Sequence, residues 1–232
     1  MTNNTVSSTA RVLGAGLRAL LALTLVCGVI YPLAVTGVAQ ALFSDQANGS
    51  EIKDTNGRVV GSSLIGQRYD LPPKKGEKAP TPDLKWFQPR PSNGLGTNSV
   101  NTQYSLLLSG ATNRAGDNEE LIQWVKDAKA AVAKDNSTPT YKVNPADIPP
   151  DAVTSSGSGL DPHISPAYAE LQAHRVAEKN GLDVKKVEDL VADHTTDRLL
   201  GFMGEPRVNV LELNTALRDL TGWGSGPGST QE

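Results

Sequence analysis

From Ala19 to Ser44 the chain reads ALLALTLVCGVIYPLAVTGVAQALFS, with no charged residue. As a helix rising 1.5 Å per residue, such a run of roughly 26 residues reaches about 39 Å, and a bilayer's hydrocarbon core is only about 30 Å thick. The pattern predicts one membrane-spanning helix over 19–44, preceded by a short tail over 1–18. Tyr31-Pro32 falls in mid-span. Proline offers no N–H and crowds the carbonyl one turn earlier, so a kink is expected there, held where a neighbouring helix satisfies the freed carbonyl. The competing expectation is a cleaved signal peptide, because Arg11 and Arg18 precede the run and small residues permit a cut after Ala39. Signal peptides usually carry an apolar region of only about 7–15 residues, which favours the anchor.

After the span the pattern changes. Thr55-Asn56-Gly57 followed by the β-prone run Arg58–Ile65 predicts a hairpin. Lys74–Asp83, KKGEKAPTPD, is an expected exposed loop. In LKWFQPRPSNG, Pro89 and Pro91 enforce extended backbone and restrict the stretch to an edge strand or loop, with Trp86 and Phe87 expected as core or interface plugs. NEELIQWVKDAKAAVAKDN predicts a helix: Leu121, Trp124, Val125 and Ala128 recur at helical spacing, Asp117 or Asn118 can cap its start, and Asn136 sits near its stop. Lys142–Pro150 is a proline-punctuated connector. Three more helices follow. The first has Ser165 as cap, Pro166 as first helical residue, Gly181 as stop and a small-residue face of Ala169, Ala173, Val176 and Ala177. The second is capped by Asp183 and aligns Val187, Leu190, Val191 and His194. The third pairs Asn209 with Glu212 at its start and lines up Val210, Leu213, Leu217 and Leu220. Strands early and helices late define an α+β class: one transmembrane helix, a single soluble α+β domain over 45–221, and a flexible tail over 222–232. No internal repeat is visible.

Charge fixes the expected orientation. Before Asp45 the chain has no acid and carries Arg11 and Arg18, so the N-terminus is expected in the cytoplasm and the domain outside it. The 232 residues suffice for one compact domain plus an accessory element. A net charge of −3 and 5% aromatic content exclude the basic, base-stacking surface that nucleic acid requires. With a single cysteine, Cys27, neither an intrachain disulfide nor a thiolate metal cluster can form.

The stretch Thr154–Pro166, TSSGSGLDPHISP, has the palette of an active site. Around Ser158 it reads Ser156-Gly157-Ser158-Gly159-Leu160, which fails the G-x-S-x-G elbow of a serine hydrolase. A membrane-anchored serine hydrolase using Ser158 and His163 is nevertheless the alternative against which other readings are weighed. The three histidines, His163, His174 and His194, lack the spacing that sets two ring nitrogens on one helical face, so no metal site is expected. GSGLDP matches neither nucleotide-loop pattern and has no lysine, so no cofactor is expected to bind this chain alone. The glycines and the Asp161-Pro162 and Ser165-Pro166 dipeptides explain the stretch as a set of turns aiming the next helix.

Taken in order, YPLAVTGVAQALFSDQANGS, GSSLIGQRY, WFQPRPS, DAVTSSGSGLDPHISP, LQAHRVAEKNGL and GEPRVNVLELNTAL resemble the C-subunit family of the Kdp potassium-transporting ATPase, from about Arg18 to about Leu220. Arg68–Leu84 stands out as an insertion, and Ser109–Leu121 departs from a family segment richer in Gly, Asn and Pro. The resemblance implies a single-span, non-catalytic accessory subunit. Its implied partners are a potassium-binding channel-like subunit, a P-type pump subunit and a small fourth peptide. It further implies a catalytic-chaperone role that raises the pump subunit's affinity for ATP. ATP would then be held only jointly with that subunit, through a glutamine whose matching position is Gln172. The residues point elsewhere. Gln172 lies beyond the span, on the side opposite the nucleotide pool, on a helix beside Ala169 and Val176, where a glutamine commonly hydrogen-bonds a neighbouring element.

Overall fold

Proline 32 shapes the first part of the chain. In this computed structural model, which describes residues 3–72, 81–92, 109–110 and 113–222 (side chains from Ser8 onward), α1 (Asn3–Leu25) runs through a π-helical turn, Val26–Ile30, into α2 (Tyr31–Leu42). The Tyr31 N–H reaches back five residues to the Val26 carbonyl, and the widened turn makes room for the proline ring. The expected break is therefore absorbed as a π turn, and helix persists on both sides. Residues before Ala19 expected as a tail are helical from Asn3 and continuous with the apolar run. The candidate span covers 35 residues, Ser8–Leu42, and is long and apolar enough to cross a membrane. A short helix, α3 (Ser44–Ala47), ends this first compact unit, Met1–Ser50.

The second unit, Glu51–Glu232, begins with the expected hairpin. Strands β1 (Glu51–Lys53) and β2 (Val59–Ser62) pair antiparallel, Glu51 opposite Ser62. Asp54 fixes the turn, its Oδ1 accepting from the N–H groups of Asn56 (3.0 Å) and Arg58 (2.9 Å). The two ends of the segment Arg68–Leu84 zip together: the Leu71 N–H donates to the Thr81 carbonyl and the Asp83 N–H to that of Tyr69, both at 2.8 Å. Of the expected loop Lys74–Asp83, residues 74–80 lie outside the described residues, as do 223–232 of the expected tail.

Four helices build the core: α4 (Glu119–Asn136), α5 (Pro166–Asn180), α6 (Val184–Asp193) and α7 (Val210–Thr221). Their starts follow the caps read from sequence. The Asn118, Ser165 and Asp183 side chains accept from the N–H groups of Leu121, Tyr168 and Lys185, and Asn209 accepts from those of Leu211 and Glu212. Gly181 closes α5 with φ 65°, the left-handed turn that frees it from the penalty a Cβ would bring. The small face of α5 packs fully: Ala169, Ala173, Val176 and Ala177 are buried in one apolar cluster with Val187, Val191, Leu213 and Leu217. Two helices keep the expected faces except at one position each. In α4 Leu121, Val125 and Ala128 are half-buried, with Val132 buried one turn on, while Trp124 is exposed; in α7 Val210, Leu213 and Leu217 are buried while Leu220 is exposed. Three short strands lie between the helices: β3 (His163–Ile164), β4 (Thr195–Thr196) and β5 (Arg207–Asn209) form an antiparallel sheet in the order β3-β5-β4. These late strands depart from the strands-early pattern, because two or three residues carry no readable alternation.

Candidate functional site

The segment Leu84–Gln88 opens as a turn, the Trp86 N–H donating to the Asp83 carbonyl at 3.1 Å, and carries Phe87 into the core with no strand beside it among the described residues. Buried backbone N–H and C=O groups need partners. Here side chains supply them. The Leu84 and Trp86 carbonyls accept from Arg175 Nη1, and the Lys85 carbonyl accepts from Asn180 Nδ2. The Phe87 carbonyl accepts from Asn214 Nδ2, and the Gln88 carbonyl from Gln172 Nε2. The return bonds run to the same amides. Phe87 N–H donates to Asn214 Oδ1 at 2.9 Å, and Gln88 N–H donates to Gln172 Oε1 at 2.7 Å. Gln172 on α5 and Asn214 on α7 thus each grip one residue of the segment at two points, as a paired strand would. Between them Phe87 is wholly buried, with Trp86 half-buried 5.7 Å from the Tyr69 ring.

Arg175 ties the network to α4. Its Nε donates to Asn136 Oδ1 at 2.8 Å and its Nη2 to Gln172 Oε1 at 2.7 Å, while Asn136 Nδ2 returns to the Val132 carbonyl. Burial pushes the Arg175 pKa down to about 10, partly offset by Tyr168, Asp135 and Asp83, so the guanidinium keeps its charge at pH 7. Burial also pushes the neighbouring Tyr168 phenol up to about 12. A cavity of about 190 Å³ opens beside Arg175, between Pro82, Pro89 and Pro91 on one side and Ala128 and Tyr168 on the other. Gln172, Ser158 and His163 do not line it.

The serine-rich stretch is organised as turns. Ser156 Oγ accepts from the N–H of Gly159 (3.0 Å) and Ser158 Oγ from that of Leu160 (3.1 Å). Gly159 has φ 69°, and a Cβ there would sit 2.9 Å from the Gly110 carbonyl oxygen, so both backbone and space demand glycine. Arg90 pins the loop, its Nε donating to the Thr154 carbonyl, Nη2 to the Ser155 carbonyl and Nη1 to Asp161 Oδ2. Asp151 anchors the far end by accepting from both the N–H and Oγ of Ser165. His163 Nδ1 lies 3.3 Å from Asp161 Oδ1, the orienting half of a triad, but the Ser158 hydroxyl is engaged with Ser156 Oγ and the Leu160 N–H instead. The serine hydrolase alternative on Ser158 and His163 therefore finds no support: the nucleophile and base required by that chemistry are not joined.

The other two histidines stand elsewhere. His174 stacks on Tyr141 with ring centroids 3.9 Å apart, and His194 Nδ1 bonds the Leu190 carbonyl at 2.9 Å as a helix cap. Among the described residues no three or more His, Cys, Asp and Glu side chains converge into a metal shell. Sequence reading found Gln172 but missed Asn214, Asn180 and Arg175, its partners in the same network. Their signal was an amide or guanidinium at helical spacing within an otherwise apolar face, as at Asn214 between Leu211 and Leu217.

One candidate membrane helix and a small α+β domain, in which Gln172, Arg175, Asn180 and Asn214 hold the backbone of Leu84–Gln88, define the class: a chain with one candidate span followed by an α+β domain. The sequence matches the family described as K+-transporting ATPase, c chain, over residues 13–219, and the chain belongs to that family. It is 73% identical over 218 residues to the potassium-transporting ATPase KdpC subunit of Streptomyces avermitilis, covering 94% of this chain and 98% of the relative. It is 66% identical over 224 residues to the KdpC subunit of Streptomyces coelicolor, covering 97% and 99%. The KdpC subunit of Mycobacterium tuberculosis matches at 43% over 198 residues, covering 85% and 93%.

Proposed function

We propose that this chain is a non-catalytic accessory subunit of a high-affinity, ATP-driven potassium importer. It assembles and stabilises the potassium-binding channel-like subunit, the P-type pump subunit and the small fourth peptide. The observation that carries the reading is the Ser8–Leu42 helix, uncharged from Ala19 onward and long enough to cross a bilayer, in a member of the K+-transporting ATPase family. In a bilayer such a helix finds lipid or other helices, and the π turn at Val26–Ile30 suits it to a bundle that satisfies the displaced carbonyls. Arg11 and Arg18 favour an N-terminus in the cytoplasm, which puts the α+β domain outside.

Deleting this chain is expected to leave the partner subunits synthesised but not recoverable together as a potassium-stimulated ATPase. Normal potassium-stimulated activity in its absence would overturn the reading. A thiol reagent restricted to one side of the membrane, applied to a cysteine at Ser229, reports the orientation: labelling from the cytoplasm would reverse it.

Gln172 is the family-implied ATP contact, joint with the pump subunit. We place it instead as a clamp on Gln88. Its Oε1 already accepts from Gln88 N–H and Arg175 Nη2, its Nε2 donates to the Gln88 carbonyl, and the residue is 0% exposed. The two roles separate in the assembled complex. As a clamp, Gln172→Ala lowers the melting temperature of the isolated chain and leaves the KM for ATP of any complex that survives unchanged. A raised KM for ATP with unchanged melting restores the chaperone role.

A further inference from the structure

Between β4 and β5 the chain leaves the sheet as a hairpin, and its tip carries apolar side chains into solvent. Leu199 and Met203 bridge antiparallel, their backbones exchanging bonds of 2.9 Å in both directions, and the Phe202 N–H closes the turn on the Leu199 carbonyl at 3.3 Å. Leu200 and Gly201 form the corner with φ of 54° and 81°. Left-handed backbone at two central positions is the turn that hairpin twist favours, and asparagine or glycine usually occupies the first of them. Leucine there carries strain and puts its side chain outward. Leu199, Leu200 and Phe202 are 64, 76 and 71% exposed, and Met203 is 44% exposed. The base is anchored in the core: Val208 of β5 is wholly buried, and Thr195 Oγ1 bonds the Val191 carbonyl at 2.7 Å.

We propose that the tip Leu199–Met203 is a docking plug, received by an apolar recess on another subunit of the pump. The inference rests on the accessory-subunit reading. The charges around the tip select a protein over a lipid surface. Asp197 and Glu205 are matched by Arg198 and Arg207, and Arg198 Nη2 is closed on Glu205 Oε2 at 2.7 Å. Binding to an anionic bilayer draws on surplus Lys and Arg and on interfacial Trp and Tyr, and the tip has none of these. A small cluster of exposed apolar anchors flanked by charges that balance in number, one pair of them closed on each other, has the anatomy of an interface centre. So small a plug is below the size of a stable interface, so it acts together with the membrane helix, each raising the effective concentration of the other.

The test uses the full complex in membranes. A photoactivatable phenylalanine at position 202 is expected to cross-link to another pump subunit, identified by mass spectrometry. Cross-links confined to lipid, or to a second copy of this chain, overturn the proposal. The double variant Leu199→Ser/Phe202→Ser, whose changes touch only exposed positions, is expected to keep the wild-type melting temperature. It should lose most of the partner subunits that co-purify after detergent extraction, about a fivefold drop or more. Leu200→Gly, which relaxes the corner, is expected to melt no earlier than wild type and to weaken co-purification in the same direction. Undiminished co-purification of both variants defeats the docking plug alone. If the wild-type chain itself recovers no partner, the accessory-subunit reading fails with it.

Discussion

Gln172 and Asn214 substitute for a β-strand. Each amide accepts from and donates to one residue of Leu84–Gln88, so removing either strands two buried backbone groups at once. A buried unpaired group costs about 1–3 kcal/mol, so Asn214→Ala is expected to destabilise by about 2–4 kcal/mol, once other groups relax. At about 2–4 °C per kcal/mol for a domain of this size, differential scanning calorimetry should show a fall of about 4–16 °C. Arg175→Lys keeps the charge but not the fork that spans the Leu84 and Trp86 carbonyls, Asn136 and Gln172, and is expected to destabilise by a similar amount in the same assay. Asp54 adds a pH dependence. Burial of its carboxyl raises the pKa, but the Arg58 and Asn56 N–H groups and the Arg58 guanidinium outweigh it and leave the pKa below the ordinary value. A depressed folded pKa means stability that is present above the unfolded value of about 3.9 and is lost as pH falls through the folded one. Urea midpoints should drop below pH 4 more steeply in wild type than in Asp54→Asn.

At the scale of elements, the helices α4 to α7 are held at their ends as much as along their faces. Gly181 has open space where a Cβ would stand, so Gly181→Ala isolates the backbone cost of φ 65°. The expected loss is about 1 kcal/mol, read as a shift in denaturant midpoint without a change in slope. Caps and helical spacing made these elements legible in the sequence, because both signals lie within a few residues of one another. β3, β4 and β5 were not legible: their two or three residues are placed by neighbours far along the chain. The hidden part of the site has the same cause. Gln172 meets Gln88 across 84 residues and Asn214 meets Phe87 across 127, separations over which no spacing rule operates. The proline in the span was read correctly as a disturbance, but its resolution as a π turn depends on where the Tyr31 N–H bonds, which composition does not reveal.

At the scale of the molecule, the hydrophobic core from Tyr69 to Leu217 lies wholly within the second unit. A chain beginning at Glu51 is therefore expected to unfold cooperatively, with a melting temperature close to that of the full chain in detergent, while losing stable association with membranes. Both are measurable by thermal melting and flotation. The amide-clamped segment also sets an order of events during synthesis. Leu84–Gln88 emerges from the ribosome long before the side chains that will hold it, by 127 residues in the case of Asn214. At about 5–20 residues per second that gap lasts roughly 6–25 s. For that interval Trp86 and Phe87 are bare aromatics on a nascent chain, a natural foothold for chaperones and proteases that disappears once α7 closes.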